Sequence, residues 1–369
     1  MNDRDAFVIQ PYLKISRYDK DYYLKEAINL VRSININCVF SQSVGLQRID
    51  SKTYLNSGYV SLLKEKRSIL KNNLIFVNTS LSPIQQRNLE KETNCKIIDR
   101  TGLILEIFGS RAKSNEGKLS VLLASLQFQK SRLVRSWTHL ERQKGGAGFM
   151  GGPGEKQIES DKRQLTEKIN RLKKKIKNID SIRNIQRYRR KKNNFPLVSL
   201  VGYTNSGKST LFNKMTKSDV LSKNMLFASL DSTIRKSFFN NLNFLFVDTV
   251  GFIRDLPTTL IDSFKSTLDE IIYSDIILHV TDISNSQYLE QKTSVLNILE
   301  EIGIKKKDRR IIEVINKVDL LKDKLKFEKI SRKNTVFISA LTGFGIDILK
   351  DRISNVLNPI NHRLLKQSN

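Results

Sequence analysis

No apolar run in this 369-residue chain approaches the ~18 residues that a bilayer-spanning helix needs. The opening MNDRDAFVIQ carries acids and lacks an apolar centre, so a secretory leader is not expected either. With no membrane anchor predicted, the cytoplasm is the expected compartment. Cysteine is nearly missing: Cys38 and Cys95 are too few for a disulfide framework, and neither has a second Cys or a His at metal-ligand spacing. Both are expected to be buried thiols. Acid is the third shortage. Asp and Glu number 37 against 64 Lys and Arg, a formal charge of +27, which favours an extended polyanion as partner, with a merely solvated basic surface as the alternative. A hydrophobic share of 39% with 8% aromatics is enough for real cores and excludes a wholly disordered basic protein. The length suits two or three domains.

Residues 1–110 alternate short apolar runs (Phe7–Ile9, Cys38–Phe40, Leu74–Val77, Lys96–Ile98) with stretches of helical period at 21–32, 59–70 and 83–93, which predicts a small parallel-sheet α/β domain. From 111 to 193 the period is helical. Leu119, Leu122, Leu126, Leu133, Trp137 and Leu140 form one stripe, and Ile158, Leu165, Ile169, Leu172, Ile176 and Ile179 a second. Between them lies the glycine-rich stretch Gly145–Gly154, so an antiparallel helical hairpin with a flexible tip is predicted. This arm holds 23 Lys or Arg against seven Asp or Glu in residues 111–192. The charge is concentrated there. After Asn193–Pro196, residues 197–369 carry apolar runs of strand length at 197–201, 244–247, 276–280, 311–315 and 336–338, and predict a second α/β domain.

The strongest motif is Gly202-Tyr203-Thr204-Asn205-Ser206-Gly207-Lys208-Ser209, which has phosphate-loop spacing between a strand and a helical pattern. Its glycines let successive N–H groups and a helix N-terminus face phosphates, Lys208 supplies a cation, and the Ser209 hydroxyl can ligate Mg2+. Three later motifs narrow the nucleotide. Asp248-Thr249-Val250-Gly251 closes a strand, where Asp248 can hold a magnesium shell through water and the Gly251 N–H can meet a γ-phosphate. Asn316-Lys317-Val318-Asp319 follows another; Asp319 can accept from the ring and exocyclic N–H groups of guanine, and Lys317 can pack along the base. Ser339-Ala340-Leu341 can offer a backbone N–H to the guanine carbonyl. Singly the last is weak, but the four in order on successive strand ends point to GTP and GDP as ligands and make 197–369 a P-loop GTPase domain.

Four stretches carry a resemblance: DRTGLILEIFGSRAKSNEGKLSVLLASL at 99–126, GGAGFMGGPGEKQIESDKRQL at 145–165, VGYTNSGKST at 201–210, and DTVGFIRDLPTTLIDSFKSTLDE at 248–270. Together they resemble the HflX family of translational GTPases over nearly the whole chain, and differ from its Obg and Era relatives. The resemblance implies an N-terminal α/β domain, a helical arm and a Ras-like GTPase domain that binds the large ribosomal subunit under GTP control and can split stalled or inactive ribosomes. The family's switch segment falls on Phe227-Ala228-Ser229-Leu230-Asp231, followed by Ser232-Thr233. Ser229 then becomes the second Mg2+ ligand, with Thr233 the rival, and serine for the family's threonine keeps the hydroxyl. Leu256-Pro257-Thr258 departs from the usual Leu-Pro-His. Leu55-Asn56-Ser57-Gly58 lacks the family's richer glycine turn, which argues against separate nucleotide chemistry in the first domain. An extra C-terminal domain is not expected.

The chemistry expected is hydrolysis of GTP to GDP and phosphate by a site of Lys208, Ser209, Asp248 and Gly251. Phe252 stands where Ras-type enzymes have a water-orienting glutamine, so unaided turnover should be slow. Asn205 resembles the asparagine with which potassium-stimulated GTPases hold K+; the other reading is a loop-stabilising amide. For the arm, Lys173–Lys175 and Arg187–Lys192 predict ribosomal RNA as partner, with Phe149 and Met150 at the tip placed to stack on bases or to fold back on the hairpin. Trp137 and His139 are read as packing residues. The expected protein is a monomer that splits or rescues ribosomes. A ribosome-assembly or rRNA-remodelling GTPase is the alternative, and a signalling switch with a DNA- or membrane-binding arm the more remote one.

Overall fold

The computed structural model describes residues 4–14, 19–69, 73–143, 153–192, 195–218, 227, 232–257, 260, 263–321 and 334–357, with backbone alone at 134–143, 153–158, 190–192 and 265–267. The chain divides into two compact units, Met1–Ser110 with Lys118–Ile176, and Arg111–Gly117 with Lys177–Asn369.

In the first unit, β1 (Arg4–Leu13), β2 (Ile36–Leu46), β3 (Leu74–Val77) and β4 (Lys96–Asp99) form a parallel sheet in the order β2-β1-β3-β4. The connecting helices are α1 (Lys20–Arg32), α2 (Ser57–Lys66) and α3 (Pro83–Thr93), and α4 (Arg100–Arg111) follows β4. Local signals set their starts. Asp19 accepts from the Tyr22 N–H at 3.0 Å, and Ser82 with Gln85 makes a capping box ahead of Pro83, each satisfying a donor the helix cannot. Phe7, Ile9, Ile75, Val77 and Ile97 pack with Val60, Leu63 and Leu89. Cys95 is buried as expected, whereas Cys38 is only half-buried on the edge strand β2. Its position beside the sheet's open side, not its apolar neighbours, decides this.

The helical region comprises α5 (Asn115–Gln143) and α6 (Pro153–Lys192). Leu123 on α5 is buried with Ile169 and Leu172 on α6, and Leu119, Leu126 and Ile176 flank them. The expected stripe is thus off by one: Leu122 is 48% exposed, because 119, 123 and 126 follow the 3.6-residue period more closely than 119, 122 and 126 do where both seams meet. Phe149, Met150 and the glycine-rich stretch through Gly152 lie outside the described residues, as do the side chains of Trp137 and His139.

The second unit holds β5 (Leu197–Gly202), β6 (Thr233–Phe239), β7 (Leu242–Asp248), β8 (Ile276–Asp282), β9 (Ile311–Asn316) and β10 (Thr335–Phe337) in the order β10-β9-β8-β5-β7-β6. All pairs are parallel except β6 with β7. Helices α7 (Lys208–Thr216), α8 (Lys265–Ile272), α9 (Tyr288–Glu301) and α10 (Ile346–Leu357) accompany it. Val198, Leu200, Phe244, Phe246, Leu278, Val280 and Val314 form its core with Leu211 and Phe212 of α7 and Leu349 and Ile353 of α10. The mainly apolar make-up of β5 and β8 follows from burial on both faces. Among the described residues no helix is long and apolar enough to cross a membrane.

Candidate nucleotide-binding site

Four strands of the second sheet end in the residues singled out above or beside them: β5 in Gly202, β7 in Asp248, β8 in Asp282 and β9 in Asn316. Carboxyl ends of parallel strands are where an open α/β sheet leaves a crevice, since the chain there turns out of the sheet toward the helices. Parallel pairing therefore gathers motifs that are more than a hundred positions apart in the sequence.

The loop from Gly202 to Ser209 wraps tightly. A Cβ on Gly202 would lie 2.2 Å from the Val280 carbonyl oxygen, and one on Gly207, whose φ is +94°, 2.2 Å from Asn316 Nδ2. Only glycine fits at either position. Lys208 is buried at the first turn of α7, and its ammonium donates to the Gly202 and Tyr203 carbonyls at 3.1 and 2.8 Å. Burial pulls its pKa down from 10.5 to about 8, against the opposing pull of Asp248. Thr204 Oγ1 and Ser206 Oγ are shielded from solvent and make no hydrogen bond among the described residues, so the cradle holds donors for an anion. Asn205 is exposed in the left-handed region with φ +61°.

On β7, Asp248 accepts from the Ser209 hydroxyl at 2.8 Å. A serine hydroxyl and a carboxylate at the mouth of a phosphate loop are hard oxygen donors, the set that Mg2+ takes alongside phosphate. The Thr249 hydroxyl is committed to the Leu200 carbonyl at 2.6 Å and Val250 is buried, so both are structural. Gly251 is pressed against the loop: a Cβ there would stand 2.9 Å from Thr204 Cγ2 and 3.1 Å from Lys208 Nζ. Phe252 is 3% exposed, and its backbone donates to Gly202 O at 3.0 Å and accepts from Thr204 N at 2.7 Å. The Tyr203 hydroxyl accepts from the Arg254 N–H at 3.0 Å. Phe227 is buried with φ +56°. Ala228, Ser229, Leu230 and Asp231 lie outside the described residues, as does Thr258; Thr233 stands opposite Asp248 across the β6–β7 pair.

The base motifs meet through Asn316. Its amide donates to Ser206 O at 2.9 Å, and its Oδ1 accepts from Ala340 N at 2.9 Å, so one buried side chain ties the phosphate loop to the turn after β10. Lys317 has φ +66° and its ammonium bridges to Asp282 at 2.5 Å. The Ser284 hydroxyl donates to that same carboxylate at 2.6 Å. Val318 is buried, and Asp319 Oδ1 is shielded from water with no hydrogen bond among the described residues. A carboxylate oxygen in that position is an acceptor awaiting a donor. In the Ser339–Leu341 turn, Ser339 N donates to Phe344 O at 3.0 Å and Ala340 N to Asn316; Leu341 is 75% exposed. Sequence reasoning missed Asp282 and the Tyr203–Arg254 bond. Asp282 had a signal, because it ends an apolar strand run in parallel register with Asn316.

The comparisons with known proteins bear on each part of the chain. Residues 21–109 match the family described as GTP-binding GTPase N-terminal, 111–190 the GTP-binding GTPase Middle Region, and 197–317 the 50S ribosome-binding GTPase. GTPase HflX of Magnetococcus marinus is 44% identical over 338 residues, 91% of this chain and 78% of that protein. GTPase HflX of Escherichia coli is 39% identical over 345 residues, 92% of this chain and 80% of that protein. Among solved structures, a crystal structure of SsGBP in complex with GDP aligns with a TM-score of 0.53 at 27% identity, covering 97% of this chain and 99% of that one.

Proposed function

We propose that this chain, which belongs to the HflX family of GTPases and so binds and hydrolyses GTP, acts on the large ribosomal subunit and separates stalled or inactive ribosomes. The observation that carries this reading is the one-signed charge of the arm, carried on the same chain as the nucleotide site. Lys173, Lys174, Lys175 and Lys177 are exposed on α6, where they would repel one another without an anionic partner. The match of 197–317 to a family described as 50S ribosome-binding supports the same partner. The GTP-bound chain docks as a monomer in the cytoplasm and leaves after hydrolysis.

In the site, Lys208 holds the outer phosphates and the loop 202–207 receives the others on its backbone N–H groups. Ser209 and Ser229 are the residues to ligate Mg2+, with Asp248 behind Ser209. The ion, which GTPases use with their nucleotide, neutralises charge on the terminal phosphates. Gly251 stands against Lys208 and so offers its N–H toward the γ-phosphate. Asp319 accepts from guanine, Lys317 lies along the base held by Asp282, and the 339–341 turn meets the base carbonyl. Phe252 is buried and cannot orient water, so unaided hydrolysis is slow and a group supplied by the partner speeds it.

Light scattering of purified ribosomes mixed with the full chain tests the function. A drop in scattering is expected with GTP and with a non-hydrolysable analogue, and none with GDP. If no nucleotide changes the signal while the chain co-sediments with immature particles, the assembly reading replaces this one.

A further inference from the structure

The basic stretch near the end of α6 is not uniform. Tyr188 is 72% exposed, but Arg187 beside it is only 9% exposed. Its Nε donates to Glu270 Oε1 at 3.2 Å, Nη1 lies 3.8 Å from Asp269 Oδ2, and the guanidinium sits 4.6 Å from the centre of the Tyr273 ring. Asn184, one turn back on α6, accepts from Nη1 at 3.0 Å and fixes the fork. Glu270 is 2% exposed. A surface phosphate contact needs none of this desolvation, and a buried pair is a costly way to gain stability.

Glu270 and Asp269 belong to α8, which is tied by backbone bonds to described residues of the segment before it. Leu260 N donates to Pro257 O, Phe264 N to Leu260 O and Leu268 N to Phe264 O, each at 2.9 Å. That segment runs back to Gly251 and Asp248. On the far side, the Glu270 carbonyl accepts from the Ser274 and Ser199 hydroxyls at 2.6 and 3.4 Å, and Ser199 lies on β5, the strand that ends in the phosphate loop. Arg310 holds the end of α8 through the Ile272 and Ser274 carbonyls at 2.8 and 3.1 Å.

We propose that Arg187 is a positioning residue for GTP hydrolysis: through Glu270 it fixes α8, and with α8 the segment that presents Gly251 to the γ-phosphate. The arm helix thereby sets the geometry of turnover. This rests on the GTPase activity and not on the ribosome as partner. Small displacements of groups around a reacting centre cost rate without costing affinity when binding contacts lie elsewhere.

The full chain loaded with GTP is followed through a single turnover, and a fluorescent GDP analogue reports affinity. Arg187→Met is expected to slow hydrolysis about tenfold or more with affinity within about twofold of the wild type. Arg187→Lys, which keeps the charge, recovers part of the loss. Should Arg187→Met fail to fold, Glu270→Gln decides, since it keeps shape and an acceptor oxygen and should slow turnover likewise. The double variant should be no slower than the worse single one, as for one shared interaction. Unchanged turnover in these variants overturns the proposal, and so do rate and affinity falling together. So does a fall of about one in the salt-dependence slope of binding to a ribosomal RNA fragment, which would make Arg187 a phosphate contact. Failure of the wild type to bind ribosomes leaves these outcomes readable.

Discussion

Asp319→Asn is expected to weaken GTP binding by about three orders of magnitude and to move the chain's preference to xanthosine triphosphate. Asp319 Oδ1 is withheld from water and bonded to nothing among the described residues, so its desolvation has been met before the ligand arrives. Guanine brings two donors on one edge. An amide there sets a donor against the guanine amino group, whereas xanthine presents a carbonyl at that position and accepts from it. Sites built to satisfy a particular donor pattern reject a mismatched ligand by up to about 10⁴–10⁵, and a single reversed bond should realise much of that range. Competition calorimetry with GTP, ATP and xanthosine triphosphate measures it. A variant with unaltered preference, or a wild type that holds ATP as tightly as GTP, would remove Asp319 from base recognition.

Lys208→Met separates activity from stability in a direction that intuition does not supply. Hydrolysis should fall below detection, because the one protein cation placed among the described residues of the phosphate loop is lost, and a bound magnesium ion does not replace a donor aimed at the charge that develops in the transition state. Thermal stability without nucleotide should hold or rise. The ammonium has a pKa near 8 in the fold against 10.5 outside it, so below pH 8 the folded state carries a penalty of about 3 kcal/mol for keeping it charged. The two carbonyls it leaves keep other donors, Phe252 N on Gly202 O at 3.0 Å and Ser206 N on Tyr203 O at 3.3 Å. The sign for pH follows. A lysine with a lowered pKa costs stability that returns as pH rises from about 8 toward 10.5, while GTP affinity falls over the same window, since the neutral Lys208 amine must then take up a proton before it can hold the phosphates. Melting curves and nucleotide titrations at pH 7, 8 and 9.5 read both; a lower melting temperature in the variant at pH 7, or flat GTP affinity across that range, contradicts the argument.

Both sheets were legible where strands are buried on two faces. The run 74–77 is wholly apolar, and 197–201 and 276–280 are apolar but for Ser199 and His279; they became β3, β5 and β8. β6 escaped because it is an edge strand with alternating, half-exposed residues, Thr-Ile-Arg-Lys-Ser-Phe-Phe. The turn that follows it, Asn240-Asn241, has positive φ at both residues, the conformation of a tight two-residue hairpin, and is a signal that the reading of the sequence did not use. In the site, spacing singled out the segments 202–209 and 316–319, and the structure sets both at strand ends of one sheet. Spacing could not separate Asn316, which ties two loops together, from Asp319, which stays uncommitted, because partners depend on which strand ends meet. Arg187 shows the same limit. Its neighbours in sequence suggest RNA, and its burial against α8 does not.

The Asn316 amide has a consequence for how ligand halves would bind. Since one side chain supports the Ser206 carbonyl with its nitrogen and the Ala340 N–H with its oxygen, ordering either loop orders the other. Guanosine and pyrophosphate added as separate molecules should therefore each raise the other's affinity by the same factor, a reciprocity that any thermodynamic cycle enforces. Truncating that amide would let the two fragments occupy the cleft as strangers.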